Sequence, residues 1–583
     1  MKRIDQITTQ FRTGKDLLNL IKGSAGHPEV PEATANNLLL KVQDLWKWVL
    51  GKGDIGEDDN FFKAGGNSLK AVQLASVISR DFNVQLSFAD IFDHDTIRKM
   101  ALLLQARGSS DMEVILTVPE AEHYPVSSAQ KRLWVACQVR EINLAYTVLD
   151  VYRIKGELDI AAFRESFRRL VTRYESLRTV FMYQDGEVRQ RVEAYDPGKH
   201  ALVYVDLSGD ENAEEKAEAL AFGEADRSLD LQKGPLLKVK LIQLKGAFIF
   251  SFAIHHIITD GWSMEIIFRE LLLHYEQILS GAHEELPVPA IGYKDYVFWQ
   301  QGFFRTEAFL KQKQYWLERF KTPAPLFDFW EYPRPNYTGN NGKRLFDRFP
   351  VHLYEQLKKI SGSYGVTLFT VLCAAVNVLF YRYTRQTDIV IGTPVAGRNL
   401  PDLQDQIGFF LNMLPIRTAV EGDMTFDQVL NAVKTSLLAD LSNQDYPFDE
   451  LLEALRIEEE SRRNPLFTII LVLRSATVSP AVLPDKFRIE VEKIEQVHCK
   501  CKYDMEIIFS EETSVPELTI EYNTELYSDS FVVAFSRMLF ATIQACISDP
   551  GIPISRLQLA SPLQVTTPKV ASANNSHRID FNF

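Results

Sequence analysis

The sequence of 583 residues has few cysteines, no excess of basic residues and no long apolar run. The cysteines are too scattered to indicate a disulfide framework and lie at Cys137, Cys373, Cys499, Cys501 and Cys546. Lysine and arginine number 64 against 77 acidic residues, and the net charge of −13 argues against a general nucleic-acid-binding protein. Without an apolar run of about 20 residues or a signal peptide, we expect a cytoplasmic protein that does not cross a membrane.

What the sequence does contain is material for several hydrophobic cores. Hydrophobic residues make up 46% of the chain and aromatic residues 11%, which is typical of a globular protein. Because a single core rarely serves so long a chain, the length predicts three or four domains.

Two adjacent histidines, His255 and His256, mark the most informative stretch. Residues 247–254 before them are almost wholly apolar, which predicts a buried strand that ends at the histidines. After them, Ser263 is a candidate cap for a helix that Gly281 would stop. A neutral imidazole accepts a proton near neutral pH, and catalytic side chains are often presented at such strand ends. The alternative is a pair of core histidines in a well-packed turn.

Nearer the N-terminus, residues 37–107 predict a small bundle of four helices. Apolar residues recur there at helical spacing, with a long acidic loop between the first two helices. The expected helices run from Leu38 to Gly51, from Asn67 or Ser68 past Ile78, from Ser87 to Phe92 and from Thr96 to Gln105.

Within this bundle, residues 59–69 have the sequence DNFFKAGGNSL. The run resembles the attachment motif of acyl and peptidyl carrier proteins, in which the serine, here Ser68, is esterified by 4'-phosphopantetheine from coenzyme A. The residue types agree, because Gly65 and Gly66 leave the backbone open and a helix N-terminus favours a phosphodiester. The alternative is that Ser68 only caps its helix.

A second series of motifs follows between residues 124 and 555. It opens with SSAQKRLW at 127–134, RYESLRTVF at 173–181 and HHIITDGWS at 255–263. These resemble the first motifs of the condensation domains of nonribosomal peptide synthetases, with Tyr174 in place of a histidine. The series continues in the family's order with YKDY at 293–296, GTPVAGR at 392–398, IGFFLNMLPIR at 407–417, NQDYPF at 443–448 and RNPLF at 463–467.

The resemblance implies a multidomain fold. A four-helix carrier domain would precede an α+β condensation domain of two chloramphenicol-acetyltransferase-like lobes around a tunnel. Predicted strands that alternate with helices favour the α+β class independently. We place an N-terminal leader or docking segment at 1–36, the carrier at 37–107, a linker at 108–123, the two lobes at 124–290 and 291–555, and a C-terminal tail at 556–583.

The resemblance also implies amide formation between two carrier-bound substrates. The donor acyl or peptidyl thioester would be held on Ser68, and His256 would lie at the reaction centre, either as a general base or orienting the attacking amine. Asp260 would form a structural ion pair, for which Arg398 is one candidate partner. The other expected site residues belong to the motif around His256 or to the expected tunnel wall, and they are His255, Asp260, Gly261, Trp262, Ser263, Asn412 and Arg398.

The implied partners follow from this chemistry. We expect an upstream adenylation or donor module, a downstream aminoacyl carrier protein and a phosphopantetheinyl transferase, all acting on a monomer in which no adenylation domain is visible. The motifs resemble the class that takes an L-configured donor. Two alternatives stay open: a non-catalytic platform that recruits partner enzymes to intermediates on Ser68, and ester or amide transfer to a free acceptor.

The run His498-Cys499-Lys500-Cys501 raises the question of a metal site. Without a second cluster at ligand spacing, alternating strand residues are the better interpretation, and we expect no metal.

Overall fold

The computed structural model describes residues 35–107, 114–224, 227–281, 286, 288–325, 327, 329–335, 339–456, 464–474, 489–511 and 515–558. Nearly all of the predicted leader and tail, together with part of the linker, lie outside these residues. The roles suggested for those segments therefore stay predictions.

The N-terminal body is a four-helix bundle, as predicted. Its core joins Trp46 to Phe61, whose ring centroids lie 5.0 Å apart in an edge-to-face arrangement. Gly51 ends the first helix with a positive φ of 68°. Asn67 begins the second, because its side-chain oxygen accepts a hydrogen bond of 2.8 Å from the backbone N–H of Lys70. The helices are α1 (Ala35–Leu50), α2 (Ser68–Phe82), α3 (Phe88–Asp93) and α4 (Ile97–Arg107).

The first lobe is built on a five-stranded sheet in the order β12-β2-β7-β6-β5, in which β12 (Glu490–Lys493) comes from the second half of the chain. Its strand β7 is buried from Phe248 onwards because neighbouring strands and helices cover both faces. Four strands of that sheet come from this part of the chain: β2 (Thr147–Lys155), β5 (Val203–Asp206), β6 (Leu237–Leu244) and β7 (Ala247–His255). A separate three-stranded sheet in the order β1-β4-β3 is formed by β1 (Tyr124–Pro125), β3 (Thr179–Gln184) and β4 (Glu187–Val192). The helices are α5 (Ser128–Ala136), α6 (Arg140–Ala145), α7 (Ile160–Arg173), α8 (Pro197–His200), α9 (Ala213–Phe222) and α10 (Gly261–Leu279).

The second lobe carries a seven-stranded sheet in the order β10-β9-β11-β14-β15-β8-β13. Helices cover it, so the predicted α+β class is confirmed. Its helices are α11 (Tyr293–Phe303), α12 (Glu307–Arg319), α13 (Val351–Tyr364), α14 (Leu368–Thr384), α15 (Phe426–Ser442), α16 (Phe448–Ala454) and α17 (Asp529–Ser548). Its strands are β8 (Asn341–Arg348), β9 (Asp388–Val395), β10 (Asn412–Ala419), β11 (Ile469–Arg474), β13 (His498–Lys500), β14 (Met505–Ser510) and β15 (Glu517–Asn523).

One strand crosses between the lobes. β12 (Glu490–Lys493) follows β11 in the chain, yet it pairs antiparallel with β2 and places Val491 opposite Ile154. The first sheet is therefore completed by a segment from the second half of the chain, and the boundary near residue 290 stays a prediction.

The helix α17 is long and apolar enough to span a membrane by length and composition. The prediction that the chain has no apolar run of about 20 residues overlooked this helix. Half of its most apolar window is buried inside the protein, where Phe531, Phe535 and Leu539 join the hydrophobic core. The bent pair α13–α14 passes the same test only if the two helices are counted as one span. Burial in the core explains the apolar composition of α17.

The carrier bundle packs on the second lobe. Helix α3 lies against α15, and Lys434 Nζ lies 5.6 Å from the centroid of the Phe92 ring. On α2, burial and the charge of Lys52 lower the pKa of Lys70, while the nearby carboxylate of Glu511 acts in the opposite direction. Since Glu511 directly follows β14, the carrier lies beside the end of that strand.

Candidate functional site

A cavity of about 2100 Å³ lies between the two sheets, and we call it the central cavity. It exceeds the roughly 300–1,000 Å³ that is common for small-molecule sites. The first lobe contributes β2, β7 and α10, and the second contributes β8, β11, β14 and β15. Among the residues that line it are His256, Gly261, Trp262, Asn412, Lys502 and Glu506.

The histidine stretch is shaped by a strand, a turn and a helix start. β7 ends at His255, a 3-10 turn covers His256–Ile258, and α10 begins at Gly261. The prediction that Ser263 caps this helix is wrong. Asp260 caps it instead, because its Oδ1 accepts a hydrogen bond of 2.8 Å from the backbone N–H of Ser263.

His255 points into the core, away from the central cavity. It is fully buried, and its Nδ1 accepts a hydrogen bond of 3.1 Å from the backbone N–H of Ile257. Its Nε2 has no hydrogen-bond partner among the described residues. Burial, with a smaller contribution from the charge of Lys502, lowers the pKa of His255 to about 3. A ring held neutral in this way stabilises the turn that presents its neighbour.

His256 faces the central cavity. Its Nδ1 lies 3.2 Å from the carbonyl oxygen of Thr259, and its Nε2 lies 2.9 Å from Lys502 Nζ. A carbonyl oxygen only accepts hydrogen bonds, so the proton of the neutral ring is on Nδ1 and the lone pair is on Nε2. Burial and the charge of Lys502 hold the pKa of His256 well below its usual range. The site therefore presents a neutral imidazole whose basic nitrogen faces the cavity.

Asp260 forms a buried ion pair with Arg398, the partner that the sequence suggested. Arg398 Nη2 donates to Asp260 Oδ1 at 3.0 Å, and the two side chains are 0% and 2% exposed. The second carboxylate oxygen accepts a hydrogen bond of 3.1 Å from the backbone N–H of Phe410. Arg398 also donates to Ser263 Oγ at 2.8 Å and stacks 4.3 Å from the centroid of the Phe410 ring. The pair joins the start of α10 to the loop before β10.

The expected tunnel residues divide into two groups. Trp262 and Asn412 line the central cavity, whereas Ser263 and Arg398 are buried behind its wall. Asn412 Nδ2 donates to the carbonyl oxygens of residues 444 and 446, so its amide holds the loop before α16. Gly261 lines the cavity, and a Cβ there would meet no atom within 4 Å and would enter cavity space.

Sequence reasoning missed Lys502. It is half-buried in the wall of the central cavity, lies over the Tyr146 ring at 5.4 Å, and reaches His256 from 246 residues further along the chain. The only signal was a pair of basic residues, Lys500 and Lys502, beside the two cysteines.

The two cysteines come together with an acidic residue. One ligand atom each from Cys499, Cys501 and Glu521 lies within 4.8 Å of the others. Arg344 Nε donates to Glu521 at 3.0 Å, so a guanidinium already neutralises the carboxylate that a cation would need. Cys499 lies on β13, in agreement with the expectation of strand residues, and Cys501 follows its end.

The carrier motif places the backbone of its serine at the start of a helix. Ser68 is the first residue of α2, where backbone N–H groups favour an anion. A Cβ at Gly66 would lie 2.3 Å from ring carbons of Phe61, so the turn requires glycine for close packing. The residues of this bundle fit 4'-phosphopantetheine.

Tyr174, which departs from the family pattern, has a defined partner. Its hydroxyl lies 2.6 Å from Glu270 Oε1, and the other oxygen of that buried carboxylate is paired with Arg173 at 2.9 Å. We expect Tyr174→Phe to reduce the free energy of unfolding by about 1.5–3 kcal/mol, because it removes a hydrogen bond to a buried charged group. Denaturant unfolding measures the change. Tyr183→Phe is the matched control, since that ring is 64% exposed; equal stability of the two variants would contradict the expectation.

The fold and the site together define a carrier bundle joined to a two-lobed condensation-type domain. Comparison with known families agrees: residues 120–566 match the condensation domain, and residues 41–104 match the phosphopantetheine attachment site. The chain belongs to the condensation domain family and carries its own phosphopantetheine attachment domain, which confirms the family and the cofactor predicted from the motifs.

The relatives are large synthetases. Over 90% of its length the chain is 34% identical to gramicidin S synthase 2 of Brevibacillus brevis, of which it covers 12%. Over 89% of its length it is 32% identical to surfactin synthase subunit 2 of Bacillus subtilis (strain 168), of which it covers 14%. The chain thus spans only a small part of the length of such relatives.

Solved structures share the fold. The X-domain from teicoplanin biosynthesis matches with a TM-score of 0.69 at 23% identity, covering 77% of this chain and all of that one. The first condensation domain of the calcium-dependent antibiotic synthetase matches with a TM-score of 0.61 at 21% identity, covering 76% of this chain and all of that one. At these identities the likeness concerns the fold alone.

Proposed function

We propose that this chain forms an amide bond between a donor acyl or peptidyl thioester carried on Ser68 and the amine of an aminoacyl acceptor on a separate carrier. The observation that carries the proposal is His256, which presents an unprotonated Nε2 to a cavity shared by both lobes. A non-catalytic platform that only recruits partner enzymes would not need an unprotonated imidazole facing its cavity.

The reaction follows from that geometry. The phosphopantetheine arm, when bound, supplies the thioester. The acceptor amine attacks the thioester carbonyl; the C–N bond forms, the C–S bond breaks, and the proton lost by the amine ends on the departing thiol. His256 accepts that proton at Nε2 or orients the amine towards the carbonyl, and the low pKa of its ring keeps the nitrogen available at neutral pH.

The neighbours of His256 have supporting roles. His255 is a positioning residue that holds the turn, and Asp260 with Arg398 fixes the start of α10. Gly261 leaves open space beside the ring, which a substrate chain needs in order to approach. Because a thioester is already activated, holding the two reactants aligned in one cavity would supply much of the acceleration.

The position of the carrier supports Ser68 as the donor site. Lys70, two residues after Ser68, interacts with Glu511 at the end of β14. The inner residues of that strand, Glu506 and Ser510, line the central cavity. A carrier bound at this end of β14 can deliver its acyl group into the cavity from the side of the second lobe. We therefore infer that the acceptor carrier approaches from another side.

The partners follow as part of the proposal. A phosphopantetheinyl transferase would load Ser68, an upstream adenylation or donor module would supply the acyl group, and a downstream carrier would supply the aminoacyl group. We place the reaction in the cytoplasm, with a monomeric chain and an L-configured donor terminus.

The test is transfer between carriers. Ser68 is loaded with an acyl-phosphopantetheine from the corresponding coenzyme A thioester, an aminoacyl carrier is added in trans, and intact-protein mass spectrometry follows the acyl group. We expect the acceptor carrier to gain the acyl mass while the chain returns to its free-thiol mass. Ser68→Ala, which cannot be loaded, is the control. Full loading without transfer to any of several aminoacyl carriers would contradict amide formation and favour the platform alternative.

A further inference from the structure

The pairing of Lys502 with His256 combines two basic groups in one enclosed place. Lys502 Nζ lies 2.9 Å from His256 Nε2, and both side chains line the central cavity. Lys502 therefore occupies the Nε2 lone pair that His256 needs in order to accept a proton from the acceptor amine. A role for Lys502 must explain why this competing contact is present.

The contacts fix the direction of the hydrogen bond between the two side chains. Thr259 fixes the ring proton on Nδ1, so Nε2 accepts and Lys502 Nζ donates. The like charge of an ammonium at this distance opposes protonation of the ring. The ring nitrogen is therefore hydrogen-bonded and kept unprotonated by the same group.

The surroundings of Lys502 offer it negative charge. Burial lowers the pKa of Lys502, and the carboxylates of Glu506 and Glu521 oppose that effect, while two arginines add to it. Tyr146 packs its ring against both Lys502 and His256. The charged and titratable groups that act on the pair or on Tyr146 beside it are Arg132, His255, Arg344, Asp449, Arg474, Tyr503, Glu506 and Glu521.

We propose that Lys502 is a positioning residue for the condensation reaction: its ammonium aims the Nε2 lone pair of His256 into the central cavity and keeps the imidazole unprotonated until the acceptor amine replaces it. This inference rests on the proposed function of His256. The acceptor amine competes with Lys502 for the same lone pair, and the displaced ammonium stays beside the reacting carbonyl, in reach of Glu506.

A pH profile separates this role from a merely structural one. In Lys502→Gln a neutral donor replaces the ammonium, so the ring is more easily protonated. The acidic limb of the pH–rate profile, where protonation of His256 lowers the transfer rate, should then move to higher pH by about 1 unit or more. At pH 7 the rate should fall about tenfold or more, the loss expected for one hydrogen bond to a charged group. Lys502→Arg keeps the charge and should retain the wild-type limb.

The matched control is Lys311→Met. Lys311 lies on α12 away from the central cavity, is 73% exposed, and its Nζ pairs with Glu307 at 2.8 Å. This variant should change neither the acidic limb of the pH–rate profile nor the transfer rate at pH 7. A Lys502→Gln profile that coincides with that of the wild type would overturn the inference.

A second readout does not depend on activity. Titration of ¹⁵N-histidine-labelled full-length chain by NMR, with the His256 signals assigned from their loss in His256→Ala, measures protonation of the ring directly. Lys502→Gln should move that titration to higher pH, and identical titrations in wild type and variant would contradict the inference. Absence of transfer in the wild type, by contrast, would contradict the proposed function while leaving this titration informative.

Discussion

Replacing His256 with alanine should lower the rate of acyl transfer from Ser68 to an aminoacyl carrier by about 100- to 10,000-fold, the usual range for loss of a positioned acid–base group. The reason is geometric, since Nε2 of His256 faces the cavity in which the two substrates would meet. Loading of Ser68 should be unchanged, because His256 is presented from the first lobe and α2 belongs to the carrier bundle. Single-turnover transfer, followed by intact-protein mass spectrometry, measures the effect.

A second histidine provides the control for that measurement. His498 also lines the central cavity and is exposed. His498→Ala therefore removes an imidazole from the same cavity and leaves the proposed reaction centre intact. Its transfer rate should stay within about twofold of the wild type, as expected for a group outside the chemistry. Comparable losses in both variants would show that the cavity wall matters and His256 itself does not.

Breaking the buried ion pair should have the largest effect on stability. In Arg398→Met the carboxylate of Asp260 stays buried without its cation, and such losses cost about 3–5 kcal/mol. The same change frees the loop before β10 from the start of α10, so we also expect transfer activity to fall at temperatures where the variant is still folded. Chemical unfolding, monitored by tryptophan fluorescence, measures the change in free energy.

An exposed ion pair that involves the same helix is the control for this loss of stability. Arg269 lies on α10 and pairs with Asp405 at 2.9 Å, with side chains 32% and 76% exposed. Arg269→Met should therefore cost at most about 1 kcal/mol. In the double variant Asp260→Asn/Arg398→Met, much of the loss should return because no uncompensated charge stays buried. A double variant less stable than Arg398→Met would argue that the hydrogen bonds of Asp260, and not its charge, hold the turn.

Local features of the chain were predictable to a useful degree. The four carrier helices and β7 follow from apolar spacing and from punctuating residues such as Gly51, which act within a few positions. The cap of α10 was assigned wrongly to Ser263, because Asp260 and Ser263 are both good capping residues and only the backbone geometry distinguishes them.

The limits of sequence reasoning are clearest at the site. The motifs pointed to Ser263 and Arg398 as cavity residues, yet both lie behind the wall, where they hold Asp260. A motif shows that residue types occur together along the chain, but it does not show which way each side chain points. That direction depends on the elements packed against it.

The sequence by itself determined the order of the two bodies, the carrier motif, the histidine stretch and the positions of the four carrier helices and β7, because these depend on neighbours in the chain. Only the tertiary structure decided that β12 completes the first sheet, that Arg398 reaches Asp260 across 138 residues, and that Lys502 reaches His256 across 246. The physical reason is that the charge and hydrogen bonding of a buried group are set by the side chains enclosed with it. In this cavity those side chains come from both lobes.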